Sequence, residues 1–128
     1  QGLQGNPGPT GPTGPSGGPT GPTGLSIVQN FQVTNLGTGS YTVDGTNNKA
    51  LTLVRGQTYF FTVNASGHPF WIKTAQLTGT GNQYNTGVTN NGDDVGGITF
   101  TVDASAPDTL YYICQFHAPM TGVITVIG

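Results

Sequence analysis

The chain has 128 residues, of which only 6% are charged; glutamate is absent and the net charge is −2. Nothing in it forms the basic stripe that nucleic-acid binding requires, and no stretch approaches the roughly 18 apolar residues of a membrane span. A single cysteine excludes an internal disulfide, and the opening on Gln1 without a charged-then-apolar leader reads as a processed product or a fragment.

Glycine recurs at Gly2, Gly5, Gly8, Gly11, Gly14 and Gly17, slips in phase at Gly17-Gly18, and continues at Gly21 and Gly24. This is a collagen-like Gly-X-Y segment spanning residues 1–24. Three polyproline-II chains can wind together only where the axial residue has no side chain, so glycine must fall every third position. Pro9, Pro12, Pro15, Pro19 and Pro22 take X and pre-set φ, while Thr10, Thr13, Ser16, Thr20 and Thr23 take Y and point outward. The expected product is a homotrimeric or longer stalk about 70 Å long at ~3 Å per residue. The plainer alternative is a flexible Pro/Gly linker.

Residues 25–128 read as an all-β domain. Alternation begins at Ile27–Thr34, with Ile27, Gln29, Phe31 and Val33 sharing a face. Further strands are expected at Ser40–Val43, Ala50–Val54, Thr58–Val63, Pro69–Lys73, Ile98–Val102, Thr109–Cys114 and Gly122–Ile127, separated by Gly, Asn, Asp and Pro turns. About eight short strands without helical spacing indicate a Greek-key β-sandwich. The long polar stretch Ala75–Gly97 interrupts them, with Tyr84 and Val88 as its anchors.

The soft ligand chemistry is concentrated in Tyr111-Tyr112-Ile113-Cys114-Gln115-Phe116-His117-Ala118-Pro119-Met120, which holds the only cysteine, one of two histidines and the only methionine. Thiolate, imidazole and thioether together favour copper over calcium or magnesium, and Cys, two His and a weak axial Met form a blue-copper set. The second histidine is then His68, in Asn64-Ala65-Ser66-Gly67-His68-Pro69-Phe70. Two interstrand loops far apart in sequence can emerge at one end of a sandwich and close on one ion. Taken singly, these residues read more simply: a free cysteine as a small hydrophobe, a methionine as core filler, a histidine as a surface group.

This constellation resembles the cupredoxin family, and the C-x2-H-x2-M spacing is most similar to the short ligand loop of the amicyanins. The likeness runs from Leu51-Thr52-Leu53-Val54 through Thr58–Asn64 and His68 to Tyr111–Cys114 and Gly122–Val126. It implies a cupredoxin-like sandwich with one type 1 copper site: His68, Cys114 and His117 as strong equatorial ligands, Met120 as the weak axial one. Pro69 departs from the family, whose members commonly place there an asparagine that ties the ligand loops together and hydrogen-bonds the cysteine sulfur. The surroundings of the site are therefore expected to differ.

Other motifs are slighter. Asn64-Ala65-Ser66 matches an N-glycosylation acceptor, and Asp93-Asp94 offers oxygens to calcium without a spaced ligand array, which suits a solvated loop tip better. No paired carboxylates, no Ser-His-Asp order and no open metal position point to an enzyme. By resemblance, electrons pass through the exposed edge of His117, with a redox partner docking near Phe116, Ala118 and Pro119 and with Pro69 and Phe70 adjoining. Gly-Pro-Thr repeats resemble the stalks of bacterial exosporium and giant-virus surface fibres, which implies an extracellular or surface location. The rival reading is a structural or adhesive fibre subunit that uses the fold as a building block.

Overall fold

Apolar alternation and turn-forming Gly, Asn and Asp shape residues 26–128, the part of the chain that the computed structural model describes, into ten β-strands with no helix among them. The expected Gly-X-Y segment of residues 1–24 lies outside the described residues. The strands are β1 (Ile27–Leu36), β2 (Ser40–Val43), β3 (Thr46–Asn47), β4 (Leu51–Val54), β5 (Thr58–Asn64), β6 (Phe70–Lys73), β7 (Val88–Thr89), β8 (Val95–Thr101), β9 (Thr109–Cys114) and β10 (Thr121–Ile127). Among the described residues no helix is long and apolar enough to cross a membrane.

Two mixed sheets face each other, in the orders β3-β2-β1-β5-β8-β7 and β4-β10-β9-β6. The connections β3–β4, β4–β5, β5–β6, β6–β7 and β8–β9 all cross between them, as in a Greek-key sandwich. Inward residues interleave as an aromatic column: ring centroids lie 5.0 Å apart for Phe31–Phe61, 5.6 Å for Phe61–Phe70 and 5.0 Å for Phe70–Tyr112. Phe61, Phe70 and Tyr112 are fully buried. Truncating any one of the phenylalanines to alanine costs about 3–5 kcal/mol.

The two strands absent from the sequence reading are the two-residue edges β3 and β7. β7 lies within the long polar stretch, where Val88 and Thr89 pair with Phe100 and Thr99, while Tyr84 and Val88 pack against the core. The expected face shared by Ile27 and Phe31 is broken. A bulge between Ile27 and Gln29 shifts the register, and Ile27 and Val28 both stay about half exposed.

Two pairings fix the polarity of the sandwich. β1 runs parallel to β5, with Ile27 opposite Thr58 at the start of β5. The other end of β5, Asn64, leads into His68, and Phe70 of β6 sits opposite Cys114 of β9. Thus the chain enters at one end, and His68 and Cys114 gather at the other, about 20 Å away along β5.

Candidate metal centre

The His68 loop is a tight turn. His68 N donates to Ala65 O at 2.8 Å, and Gly67 takes φ +83°, a backbone state that a side chain disfavours. The neighbouring loop clamps it: Ala65 N donates to Asp94 O (2.9 Å), Phe70 N to Asp93 O (3.0 Å) and Gly67 N to the Asp94 carboxylate (2.8 Å). Rather than a free loop tip, Asp93-Asp94 is the support of the histidine turn.

The second loop closes on itself. Cys114 N donates to Met120 O at 2.9 Å and Met120 N to His117 O at 3.1 Å, while the Thr121 hydroxyl donates to Tyr112 O at 2.8 Å. Gln115 N donates to Pro69 O at 3.1 Å, so the carbonyl of the atypical proline joins the two ligand loops. Gly122 is required for close approach, because a Cβ there would come within 2.4 Å of the Tyr112 ring.

Three supports escaped the sequence reading. Asn48 holds φ +49° and, from its side chain, accepts from Tyr41 N (3.0 Å) and Thr121 N (3.2 Å) while donating to Pro119 O (2.8 Å). Trp71 Nε1 donates to Gln115 Oε1 at 3.1 Å, with the ring so close to Gly92 that a Cβ there would lie 2.3 Å from it. Lys73 is fully buried, and its ammonium donates to Leu77 O (2.8 Å) and Gly79 O (2.7 Å). Burial holds its pKa below the ordinary lysine value. The loop it pins reaches the metal end, where Gly79 N donates to Gln115 O at 2.7 Å. Only Asn48 left a trace in the sequence: Asn-Asn in a turn favours a left-handed residue.

These supports bring His68, Cys114 and His117 together, with one ligand atom of each within 4.8 Å of the others. Cys114 Sγ lies 3.7 Å from His68 Nδ1 and 3.5 Å from His117 Nδ1. Such spacings suit two atoms sharing one ion with bonds of about 2.0–2.3 Å, the lengths imidazole and thiolate give a divalent ion such as zinc. Cys114 is fully buried and both histidines are half-buried. Met120, also fully buried, stands where the loop returns to β10. Phe116 is 60% exposed, and Ala118 and Pro119 are exposed, whereas Phe70 lies in the core and contributes nothing to that surface. Behind the cluster the Tyr41 hydroxyl donates to His68 O at 2.6 Å, and burial, then the nearby Cys114, push its pKa far above the usual phenol value.

No family model matches the chain, and no curated protein matches it. Solved structures do. Reduced rusticyanin is 25% identical, covering 79% of this chain and 81% of that one, with a TM-score of 0.55. Rusticyanin from Thiobacillus ferrooxidans is 25% identical over 79% of both chains, with a TM-score of 0.54. Another structure of the copper protein rusticyanin, 23% identical over 79% of each chain, has a TM-score of 0.56 and attests the fold. Residues 26–128 have the cupredoxin β-sandwich fold, and the His68-Cys114-His117 group with Met120 close by fits one type 1 copper ion.

Proposed function

We propose that this chain is a copper-binding electron-transfer module displayed at a surface on a collagen-like fibre, with His68, Cys114 and His117 as equatorial ligands and Met120 as the axial one. The observation that carries this reading is the convergence of two imidazole Nδ1 atoms on one buried sulfur at the end of the sandwich. Imidazole and thiolate alone also suit zinc; the buried thioether beside them tilts the set toward copper. Copper, when bound, supplies a reversible one-electron couple. The protein's share is to hold the donors still, which the Asn48, Asp94 and Trp71 contacts do by fixing both loops from outside.

With the buried Met120 as the axial ligand, this reading leaves no position open to a substrate, and the module is a carrier rather than an enzyme. The exposed Phe116, Ala118 and Pro119 flank the half-buried His117 with apolar surface. That surface suits brief docking of a redox partner. Residues 1–24 supply the oligomerising stalk in this reading.

Adding Cu(II) to the purified chain should produce an intense visible band at one equivalent, absent from a folded Cys114→Ser variant, because the thiolate is its source. Met120→Gln should keep the band and lower the midpoint potential. A colourless wild type would leave the fold as an architectural subunit. For the stalk, light scattering should give an oligomer for the whole chain and a monomer for a chain beginning at Leu25; equal masses would remove residues 1–24 as the assembly device.

A further inference from the structure

Lys73 ends β6 on the outer face of its sheet, since Phe70 and Ile72 turn into the core. A lysine in such a place ordinarily sends its ammonium into water. Here residues 74–82 loop back over it. Thr74 N donates to Asn82 O at 2.9 Å, closing the loop at its feet, and the ammonium beneath is fully buried. It donates to Leu77 O and Gly79 O, and among the described residues no carboxylate pairs with it, the one ion pair being Arg55 with Asp108.

An ammonium taken out of water without a counter-charge costs stability, and what it gains here is the shape of the loop. The loop has no large apolar anchor: Leu77 is 58% exposed, and Gly79 takes φ +90°. With so little to bury, the segment is ordered by its hydrogen bonds, and those from a charged donor are the strongest of them. The loop then touches the ligand loop at both ends. Gly79 N donates at 2.7 Å to the carbonyl of Gln115, the residue after Cys114. The Gln76 side-chain amide donates at 2.9 Å to the hydroxyl of Thr121, the residue after Met120. Residues 76–79 carry both contacts, and the ammonium holds that same stretch by the carbonyls of Leu77 and Gly79.

We propose that residues 74–82 form a strap across the Cys114–Thr121 loop, with Lys73 as its post and therefore a positioning residue for the metal centre. The route is short: ammonium to Gly79, Gly79 to Gln115, and one peptide bond from Gln115 to Cys114. With the strap down, the ligand loop keeps Cys114 and His117 at a spacing that fits one ion; with the strap lifted, the loop moves and the buried sulfur becomes reachable. The inference rests on the metal reading of these residues, but the strap is tested with no metal present.

Cys114 is the one cysteine, so in the metal-free chain its labelling by a thiol reagent reports how often the ligand loop lifts. Lys73→Met keeps the stem, deletes the donors and leaves two carbonyls unpaired. Labelling should quicken about tenfold, the weight of one hydrogen bond to a charged group, and in the copper-loaded chain the metal should pass to a chelator faster by a similar factor. Gln76→Ala, at an exposed side chain, should give a smaller rise of the same kind. Arg55→Met, which loosens the opposite end, is the control. A Lys73 that acts only through overall stability would quicken labelling no more than Arg55→Met does at equal loss of melting temperature, and that result would overturn the proposal. Should Lys73→Met not fold, Gln76→Ala and Gly79→Ala replace it, the latter straining the strap at φ +90° with open space around the new methyl; labelling at the wild-type rate in both overturns the strap. A wild type without a copper band removes the copper reading, while the labelling rates still decide whether the strap holds the loop.

Discussion

The two ends of the sandwich are closed by different chemistry. At the metal end, the loops are sewn together mostly by uncharged contacts, Asn48 to Pro119 and Thr121, Trp71 to Gln115, and backbone pairs between Pro69 and Gln115 and between Gly79 and Gln115, with the Asp94 carboxylate accepting from Gly67 N. At the entry end an arginine does the work. Arg55 donates from Nε (3.1 Å) and Nη2 (2.7 Å) to Ala106 O, and from Nη1 to Gly128 O (3.2 Å). It also pairs with Asp108 at 2.6 Å, and Tyr84 donates to Asp103 nearby. A formal charge placed against the thiolate would alter the field at the metal, whereas amides fix geometry and add only dipoles. The comparison teaches that rigidity is supplied at both ends by different means, by amides and the Asp94 carboxylate around the metal loops and by a guanidinium at the entry end.

The largest break in this contrast comes from Asn48→Ala. It removes three hydrogen bonds and leaves at φ +49° an alanine, which tolerates the left-handed backbone less well than asparagine, so unfolding free energy should fall by about 3 kcal/mol in denaturant titration, and copper should exchange faster. Asn48→Gly tolerates the backbone and should lose less, isolating the hydrogen bonds. An unchanged exchange rate would show that the ligand loop stands without this clamp. Next in size, Arg55→Met should cost about 1–2 kcal/mol and leave the copper band in place. Little of that comes from the ion pair, because the Asp108 side chain is 92% exposed. A moved band would mean the ends are coupled.

The smallest effect is on pH dependence. Hydrogen bonds from Ser105 and then Tyr84 hold the Asp103 carboxylate below its usual pKa, so its contribution is present above the ordinary carboxylate range and lost as pH falls through the lowered value. Burial and Asp103 push Tyr84 up to about 12, so its contribution is lost as pH rises from the ordinary phenol value towards that point. Tyr84→Phe should flatten the acid limb of a melting-temperature profile slightly and leave the copper potential unmoved.

Much of this arrangement is legible in the sequence because a ligand set of rare residue types stands out against a chain of Gly, Thr and Asn. β5, β6, β9 and β10 came within a residue or so of their expected bounds, since alternation and turn residues agree there. β3 and β7 are invisible to periodicity, because two residues carry no period and pairing alone makes them strands. Lys73 was expected only as the end of a strand; nothing local reveals that its ammonium is buried against two carbonyls 4 and 6 residues onward. Tyr41 likewise reads as one of many strand aromatics until the fold carries it to His68, 27 residues away.

The parallel pairing of β1 with β5 has a consequence for geography. Ser26, the first described residue, lies at the end of the sandwich opposite the one where His68, Cys114 and His117 gather. A redox partner docking there, as proposed, would approach from the side away from Ser26. In the proposed reading, copies joined through residues 1–24 would then be joined on the side away from their metal centres, each left to act as an independent terminal.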